Sequence, residues 1–151
     1  MKICFIASSG GHWEELMSLK EIAKKNDAFY VTEIGGQVYE DNREDLYLVK
    51  QINRREKYFI FNFIKLIFKC FSIIRKENPE LVITTGALIA VPFSIIAKMY
   101  GAKIIYIESF ARINNASLTG KIMYKYADMF LVQWKEMLKI FPKAKYVGGV
   151  F

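Results

Sequence analysis

Short apolar runs alternate with longer amphipathic segments along this chain, and polar or glycine-containing turns separate them. Continuous Val, Ile, Leu and Phe runs are typical of strands covered on both faces, whereas an apolar stripe at helical spacing indicates a helix. The alternation predicts an α/β fold, a Rossmann-like parallel sheet with helices on both faces. The predicted strands are Lys2–Ala7, Ala28–Thr32, Leu46–Val49, Leu81–Thr84, Lys103–Ile107, Met129–Gln133 and Lys145–Val147; the predicted helices are Trp13–Lys25, Lys57–Glu77, Ala87–Tyr100 and Leu118–Tyr126; and a polar loop is predicted over Glu33–Arg43.

Composition constrains the organisation and removes several kinds of site. Because the chain has 151 residues, of which 53% are hydrophobic, residues 1–151 are expected to form a single domain. Cys4 and Cys70 lie in apolar runs without metal-ligand spacing, and His12 is the one histidine. No metal site, disulfide framework or cofactor is therefore expected. The opening Met1–Phe5 run is too short for a signal peptide, and no uncharged stretch is long and unbroken enough to span a bilayer, so a cytoplasmic protein is expected.

The first candidate site is the Ser-Ser-Gly-Gly-His turn that follows the strand Lys2–Ala7. Such a turn presents unpaired backbone N–H groups and the positive end of a helix dipole, which attract phosphate. Ser9, Gly10, Gly11 and His12 are therefore candidate binding residues. The turn lacks the Lys-Ser/Thr ending of a nucleoside-triphosphate loop and the third glycine of a dinucleotide fingerprint. Its glycines equally suit tight packing of a strand against a helix, and both interpretations stay open.

A second strand-to-helix junction repeats this arrangement with Thr84, Thr85 and Gly86. If the strands Lys2–Ala7 and Leu81–Thr84 are neighbours at the point where the strand order reverses, both turns line one crevice at the carboxyl edge of the sheet. The two threonines and the glycine are therefore candidate binding residues as well. Capping of the next helix by the hydroxyl groups is the alternative.

A third loop, after the strand Lys103–Ile107, begins with Glu108 and Ser109. A carboxylate that leaves a buried strand at this edge is suited to orient a sugar hydroxyl or to accept a proton. Pairing with Arg112 and capping of a helix N-terminus are the alternatives for Glu108. Ser109 is a candidate binding residue of the same crevice.

The net charge of +7 arises from one segment of the chain. Between Lys50 and Lys76 there are eight basic residues and one acid, and the basic and acidic residues elsewhere cancel. An anionic partner is therefore expected to bind this segment.

The predicted helix Lys57–Glu77 in this segment has an apolar arc, expected to pack on the sheet, and a basic arc opposite. The apolar arc comprises Phe63, Leu66, Ile67, Cys70, Ile73 and Ile74. Aromatic residues interleave with the basic ones, which suits the headgroup region of an anionic membrane. The membrane-binding candidates are Lys57, Tyr58, Phe61, Lys65, Phe68, Lys69 and Lys76. A partner protein and a solvated face are the alternatives; nucleic acid is not expected, because no nucleic-acid motif accompanies the pattern.

Four motifs carry a resemblance to a known family: SSGGHWEEL, TTGALIAVPFSIIAKMYGAKIIYIES, SLTGK and YVGGVF, in this order along nearly the whole chain. They resemble bacterial capsule and exopolysaccharide proteins of the PssD/CpsF type. Those proteins are similar to the membrane-anchoring subunit of the split UDP-N-acetylglucosamine transferase of asparagine-linked glycosylation. The chain is more distantly similar to the N-terminal half of the peptidoglycan glycosyltransferase that makes lipid II. In that enzyme a Gly-Gly-His turn faces the lipid-linked pyrophosphate, and the turn corresponds to Gly10, Gly11 and His12 here.

The resemblance implies the N-terminal, acceptor-binding half of a GT-B glycosyltransferase in capsule or exopolysaccharide repeat-unit synthesis. It implies a lipid-pyrophosphate-linked saccharide acceptor, a separate UDP-sugar-binding subunit as partner, and peripheral attachment at the cytoplasmic face of the cell membrane. The chain is then inactive or weakly active alone. A general base must deprotonate the acceptor hydroxyl; His12 and Glu108 are the candidates on this chain, and the partner is the alternative location.

Two other functions stay open. One is a self-sufficient small nucleotide-binding enzyme, which the Rossmann-like pattern favours. The missing third glycine and the absence of an acid at the end of the second predicted strand disfavour it, although Glu33 lies close to that end. The other is a membrane scaffold with a vestigial cleft.

Overall fold

The computed structural model describes residues 1–35 and 45–150. Within them seven parallel strands form one sheet: β1 (Lys2–Ala7), β2 (Asp27–Glu33), β3 (Leu46–Val49), β4 (Leu81–Gly86), β5 (Lys103–Ile107), β6 (Met129–Val132) and β7 (Lys145–Tyr146). Every predicted strand is confirmed, with small differences at the ends. The predicted polar loop Glu33–Arg43 begins inside β2, and its residues 36–43 lie outside the described part of the chain.

The strands follow the order β3-β2-β1-β4-β5-β6-β7, so the order reverses between β1 and β4. β1 pairs with β2 on one side and with β4 on the other, where Ile3 lies beside Leu81. The reversal point expected from the sequence is therefore confirmed. It places the turns after β1 and β4 next to each other at the carboxyl edge of the sheet.

The described residues form five α-helices, α1 (Gly11–Met17), α2 (Lys20–Lys24), α3 (Phe59–Glu77), α4 (Ala90–Met99) and α5 (Leu118–Tyr126), and a 3-10 helix, Lys135–Lys139. The single helix predicted over Trp13–Lys25 is wrong. The Ser18 hydroxyl donates a hydrogen bond to the Glu15 carbonyl oxygen at 2.6 Å, and such local bonding competes with helix continuation. The 3-10 helix was not predicted.

Helix α4 begins three residues later than its apolar pattern predicts. Gly86 and Ala87 have φ angles of +115° and +79°, whereas a right-handed helix needs φ near −60°. The chain therefore continues β4 to Gly86 and makes a turn before α4 begins. This turn is part of the candidate crevice.

Successive residues of β1 face opposite sides of the sheet. Ile3 and Phe5 pack with Trp13 and Leu16 of α1, whereas Ile6 joins the larger core under α3, α4 and α5. Helices therefore cover both faces, as predicted. The fold class predicted from the sequence, a Rossmann-like parallel sheet, is confirmed.

Candidate functional site

The turn after β1 leaves its backbone open. Gly10 has a φ of +89°, a conformation that L side chains rarely adopt. A Cβ added at Gly11 would meet no atom of the described residues within 4 Å. Helix α1 begins at Gly11, and among the described residues no side chain caps its N-terminus. Ser9, two residues before the helix, is half-buried. A ligand therefore has room to approach the Gly10–Gly11 backbone closely.

A hydrogen bond ties the turn after β1 to the turn after β4. The Thr85 hydroxyl donates to the His12 carbonyl oxygen at 2.7 Å. The Thr84 hydroxyl accepts from the Gly86 N–H at 3.0 Å, which fixes the second turn itself. Both threonines are fully buried, so their hydroxyls organise the two turns. Contact of these side chains with a ligand stays a prediction.

The His12 side chain is half-buried against the second turn, with its Cε1 atom 3.5 Å from where a Cβ on Gly86 would lie. Its Nδ1 atom is buried and has no hydrogen-bond partner among the described residues. Leaving a buried polar atom unpaired costs about 1–3 kcal/mol, and such atoms often have a functional role. This buried atom is shielded from a ligand in the crevice, and the proton-acceptor role of His12 stays a prediction.

Tyr106, which the sequence did not single out, connects the turn after β4 to the loop after β5. Its hydroxyl would lie 3.1 Å from a Cβ on Gly86. The same hydroxyl donates to Glu108 Oε1 at 3.3 Å and lies 3.4 Å from Ser117 Oγ. Burial raises the pKa of Tyr106 above its usual range, so the hydroxyl stays neutral and can donate. The sequence could not reveal this bond to Glu108, because a tyrosine inside an apolar strand looks like any other core residue.

The Glu108 carboxylate is buried at the start of α5, with 1% of the residue exposed. The Ser117 hydroxyl donates to its Oε1 atom at 2.9 Å, and the Ser109 N–H donates at 3.2 Å. Ser117 also caps α5 by accepting from the Gly120 N–H. Glu108 therefore lies at the start of α5 as an acceptor for Ser117, which is the residue that caps the helix, and the Arg112 guanidinium bonds Asn115 instead. Proton acceptance by Glu108 stays a prediction, and it requires the carboxylate to leave these donors.

The last sequence candidate in the crevice, Ser109, is buried between two carboxylates. Its hydroxyl donates to Glu15 Oε1 on α1 at 2.8 Å, while its N–H bonds Glu108. Glu15 was not predicted as a site residue. Glu14 and Glu15 are neighbours in the sequence, and the sequence does not show which of them is buried. The structure thus brings the three predicted loops together around side chains that were not all foreseen.

Glu33 bears on the nucleotide-binding alternative. An acid does end the second strand, since β2 runs to Glu33, and the expectation that none does so is wrong. The residue is 5% exposed, and desolvation by burial raises the pKa of Glu33 to about 6. A ribose-binding acid presents a carboxylate to the crevice, so this burial disfavours a nucleotide site at β2.

Gly120→Ala tests how tightly α5 packs on Glu108. A Cβ at Gly120 would lie 1.9 Å from Glu108 Oε2 and 2.9 Å from Ser117 Oγ, so the carboxylate must move and lose donors. We expect the free energy of unfolding, measured by urea denaturation, to fall by about 1–3 kcal/mol, although alanine favours a helix over glycine. Lys121→Ala, at an exposed position of the same helix, should change it by less than about 0.5 kcal/mol. Wild-type stability of Gly120→Ala would contradict this packing.

The outer face of α3 carries more apolar surface than the sequence predicted. Leu66, Cys70, Ile73 and Ile74 are buried as expected. Ile67 was expected to pack on the sheet and is 36% exposed, because it lies at the margin of the buried arc. The exposed apolar side chains are Tyr58, Ile60, Phe61, Ile64, Ile67, Phe68 and Phe71, which we call the α3 surface together with the exposed Lys57, Lys65 and Lys69. Exposed apolar side chains grouped on one helix are a common feature of interaction sites, and binding by the α3 surface stays a prediction.

Basic residues flank one side of the α3 surface. Lys65 and Lys69 border a groove between α3 and β3 that Lys50 also lines. The Lys65 ammonium lies 4.3 Å from the centre of the Phe61 ring, so charge and aromatic surface are adjacent. Lys76, also a membrane-binding candidate, is exposed at the far end of α3, where its ammonium donates to the Tyr47 hydroxyl at 2.8 Å. Lys76 therefore bonds another residue of this chain, unlike a lysine whose ammonium is free to meet a headgroup.

The first turn of α3 lies at the same edge of the sheet as the crevice, because α3 follows the carboxyl end of β3. Residues 51–56, which lead into α3, line one pocket together with Leu88 from the segment between β4 and α4. The segment that leads into α3 therefore lies beside the segment that follows β4. Among residues 1–35 and 45–150, no helix is long and apolar enough to cross a bilayer.

Solved structures share this fold. The structure of Acinetobacter baumannii MurG matches 99% of this chain with a TM-score of 0.79 and 16% identity, over 46% of the MurG chain. A UDP-N-acetylglucosamine 2-epimerase from Rickettsia bellii matches 99% of this chain with a TM-score of 0.76 and 16% identity, over 45% of its own length. The sheet order and the crevice at its reversal point define a Rossmann-like domain of the type that forms one half of a GT-B glycosyltransferase.

The sequence pattern described as "Oligosaccharide biosynthesis protein Alg14 like" matches residues 3–150, and the chain belongs to this family. The UDP-N-acetylglucosamine transferase subunit ALG14 of Rattus norvegicus is 31% identical over 97 residues, which cover 60% of this chain and 45% of that protein. Its counterpart in Kluyveromyces lactis is 60% identical over 47 residues, which cover 31% of this chain and 20% of that protein. The chain thus spans less than half the length of these curated relatives.

Proposed function

We propose that this chain is the acceptor-binding, membrane-attached subunit of a two-component UDP-N-acetylglucosamine transferase. The observation that carries the proposal is the open Gly10–Gly11 turn, tied to the turn after β4 at the reversal point of the sheet in an Alg14-like chain. The relatives are named as subunits of a UDP-N-acetylglucosamine transferase, which supports a separate partner that binds the UDP-sugar. In this proposal the chain alone is inactive or weakly active.

The acceptor in this proposal is a saccharide linked to a lipid pyrophosphate. The pyrophosphate lies against the Gly10–Gly11 backbone, where N–H groups can donate to its oxygens. Ser9, Thr84, Thr85, Gly86, Glu108 and Ser109 shape the crevice around it, the buried ones by holding the turns in place. The resemblance to PssD/CpsF-type proteins leads us to propose capsule or exopolysaccharide repeat-unit synthesis as the setting.

The reaction in this proposal is an inverting sugar transfer. The acceptor hydroxyl oxygen bonds to the anomeric carbon of the donor sugar, the bond from that carbon to UDP breaks, and UDP leaves with the electron pair. A base removes the hydroxyl proton. His12, half-buried in the turn after β1, and Glu108 are the candidates for that base on this chain, and a base on the partner is the alternative.

The α3 surface attaches the subunit to the cytoplasmic face of the membrane in this proposal. Exposed aromatic rings enter the headgroup layer, while Lys57, Lys65 and Lys69 meet anionic headgroups. Since α3 begins at the edge of the sheet where the crevice lies, the lipid-linked acceptor reaches the Gly10–Gly11 turn from the same membrane in this proposal.

The test is co-expression with the product of the neighbouring reading frame, co-purification, and a transfer assay with UDP-N-acetylglucosamine. The acceptor is a saccharide linked to undecaprenyl diphosphate, with the same saccharide free of lipid as control. The proposal is supported if sugar is transferred to the lipid-linked acceptor only when both chains are present. Tight UDP-sugar binding by this chain alone would instead favour a self-sufficient enzyme. Full transfer after the crevice turns are altered would favour a scaffold with a vestigial cleft.

The tail after β7 is the proposed contact with the partner, since the active site of a GT-B enzyme lies between its two halves. Val147 is 47% exposed, and its N–H donates to the Val132 carbonyl oxygen at 3.1 Å. We expect deletion of residues 147–151 to weaken co-purification with the partner at least about tenfold, with liposome binding unchanged. A melting curve of the truncated chain is the control for folding. If the tail only completes the sheet, stability and both binding activities fall together, which would contradict an interface role.

A further inference from the structure

Glu15 is a buried carboxylate on the face of α1 that lies toward the loop after β5, and the proposed transfer does not use it. Only 4% of the residue is exposed, and no lysine or arginine pairs with it within the described ranges. Its Oε1 atom accepts from the Ser109 hydroxyl at 2.8 Å and from the Phe110 N–H at 3.1 Å. Since an ionised carboxylate is costly to bury, it needs these donors to stay in place.

Gln133, directly after β6, extends these bonds toward the tail. Its side-chain amide donates to Glu15 Oε2 at 3.2 Å and to the Glu108 carbonyl oxygen at 3.0 Å. Its Oε1 atom accepts from the Val150 N–H at 2.9 Å. A single buried side chain therefore bonds α1, the loop after β5 and the tail.

The tail also packs against this loop. A Cβ on Gly149 would lie 3.3 Å from the Phe110 ring, and that ring contacts the Trp134 indole with their centres 4.8 Å apart. The Trp134 indole N–H donates to the Phe110 carbonyl oxygen at 2.7 Å. The position of Phe110 is thus set from one side by Glu15 and from the other by the tail.

We infer that Glu15 is a positioning residue that couples the tail, residues 147–150, to the loop over residues 108–117 and so to the crevice. When the tail is docked, Gln133 is held between Val150 and Glu15, and Glu15 in turn holds Ser109 and Phe110. When the tail is displaced, Gln133 loses one partner and the loop loses its fixed position. The coupling is a property of this chain alone, whereas its effect on sugar transfer rests on the proposed function.

Hydrogen exchange in the isolated chain tests the coupling without any partner. Val150→Pro removes the N–H that bonds Gln133, and Val150→Ala is the matched control that keeps it. We expect Val150→Pro to speed exchange of the Phe110 amide about fivefold or more, the effect of losing about one hydrogen bond, and Val150→Ala to leave it unchanged. An unchanged Phe110 amide in Val150→Pro would overturn the inference.

A double-mutant cycle then identifies Glu15 as the link. Glu15→Gln should speed Phe110 exchange by itself, and adding Val150→Pro should speed it no further, because both changes break one connection. Glu14→Gln, an exposed position on the same helix, should have no effect. Effects of Glu15→Gln and Val150→Pro that simply multiply would overturn the inference. If Glu15→Gln does not fold, Gln133→Met breaks the same connection at its middle and takes its place in the cycle.

The consequence for transfer is measured with the reconstituted pair at saturating partner. Val150→Pro should raise the KM for the undecaprenyl-diphosphate-linked acceptor about fivefold and leave the KM for UDP-N-acetylglucosamine unchanged, a split that general destabilisation would not produce. Equal acceptor KM values for Val150→Pro and Val150→Ala would overturn the link to the crevice. If neither the wild-type pair nor any variant transfers sugar, but hydrogen exchange changes as expected, the proposed function fails and the coupling between the tail and the loop stands.

Discussion

Gly11→Val is expected to abolish sugar transfer by the reconstituted pair while the chain stays folded. No atom of the described residues lies within 4 Å of a Cβ at Gly11, so valine meets open space rather than protein. Valine at the first residue of α1 costs the helix less than about 1 kcal/mol. The branched side chain instead occupies the space in front of the backbone, where the proposed pyrophosphate lies. Displacing a bound group by even about 1 Å reduces turnover roughly a hundredfold, and complete exclusion reduces it further.

A graded series separates exclusion from loss of folding. Gly11→Ala should retain part of the transfer rate, and Glu14→Val, which adds the same side chain at an exposed position in the first turn, should retain all of it. His12→Ala leaves the backbone N–H groups in place, so its loss of kcat reports the contribution of the imidazole. Melting curves are recorded for each variant. A folded Gly11→Val chain with normal acceptor turnover would rule out this turn as the pyrophosphate site.

Reversing Lys65 and Lys69 to glutamate is expected to abolish binding to liposomes that contain anionic lipid. Each basic residue near such a surface contributes about 1 kcal/mol, so a change of four charges removes about 4 kcal/mol, roughly a thousandfold in partitioning. Both side chains are exposed, so the fold should survive. Sedimentation with liposomes is repeated at increasing salt concentration to check that binding is electrostatic. Salt should release the wild-type chain, because exposed charges are screened within about 10 Å at 0.1 M salt.

The matched control places the same charge change on the opposite face of the sheet. Lys20→Glu combined with Lys25→Glu alters two exposed lysines, one in α2 and one directly after it, and lowers the net charge equally. Liposome binding should then fall much less than with Lys65→Glu and Lys69→Glu. Replacing Phe68 by serine, 71% exposed on the α3 surface, tests the apolar contribution separately. Equal loss from both lysine pairs would mean that net charge alone, and not the α3 surface, drives binding.

The fold was predictable because its strands are apolar on both faces and its turns carry glycine and hydroxyl residues. These local signals located all seven strands and the reversal point between β1 and β4. Sequence patterns did not reveal the break between α1 and α2, where the Ser18 hydroxyl bonds the Glu15 carbonyl oxygen. They also placed the start of α4 too early, because the positive φ at Ala87 is set by the surrounding turn.

The candidate site was predictable in its loops and less so in its internal bonds. The sequence located Gly10, Gly11 and Glu108 at the carboxyl edge, since strand ends determine that placement. It did not reveal that Glu108 bonds Ser117, or that Glu15 and Gln133 meet although they are 118 positions apart. Such contacts depend on tertiary distances, and a polar residue type alone does not determine them.

The central place of β1 has a consequence for how this chain folds during synthesis. β1 is made before β4, yet the Lys2 N–H bonds Glu80, 78 positions further along, and pairing with β4 must wait for that segment. Such non-local pairing is slow, because a long loop must close before the contacts form. At about 5–20 residues per second, the ribosome needs several seconds to make the segment between these strands. During that time one edge of β1 lacks its neighbouring strand, and an unpaired strand edge is a site at which the nascent chain can pair with another chain.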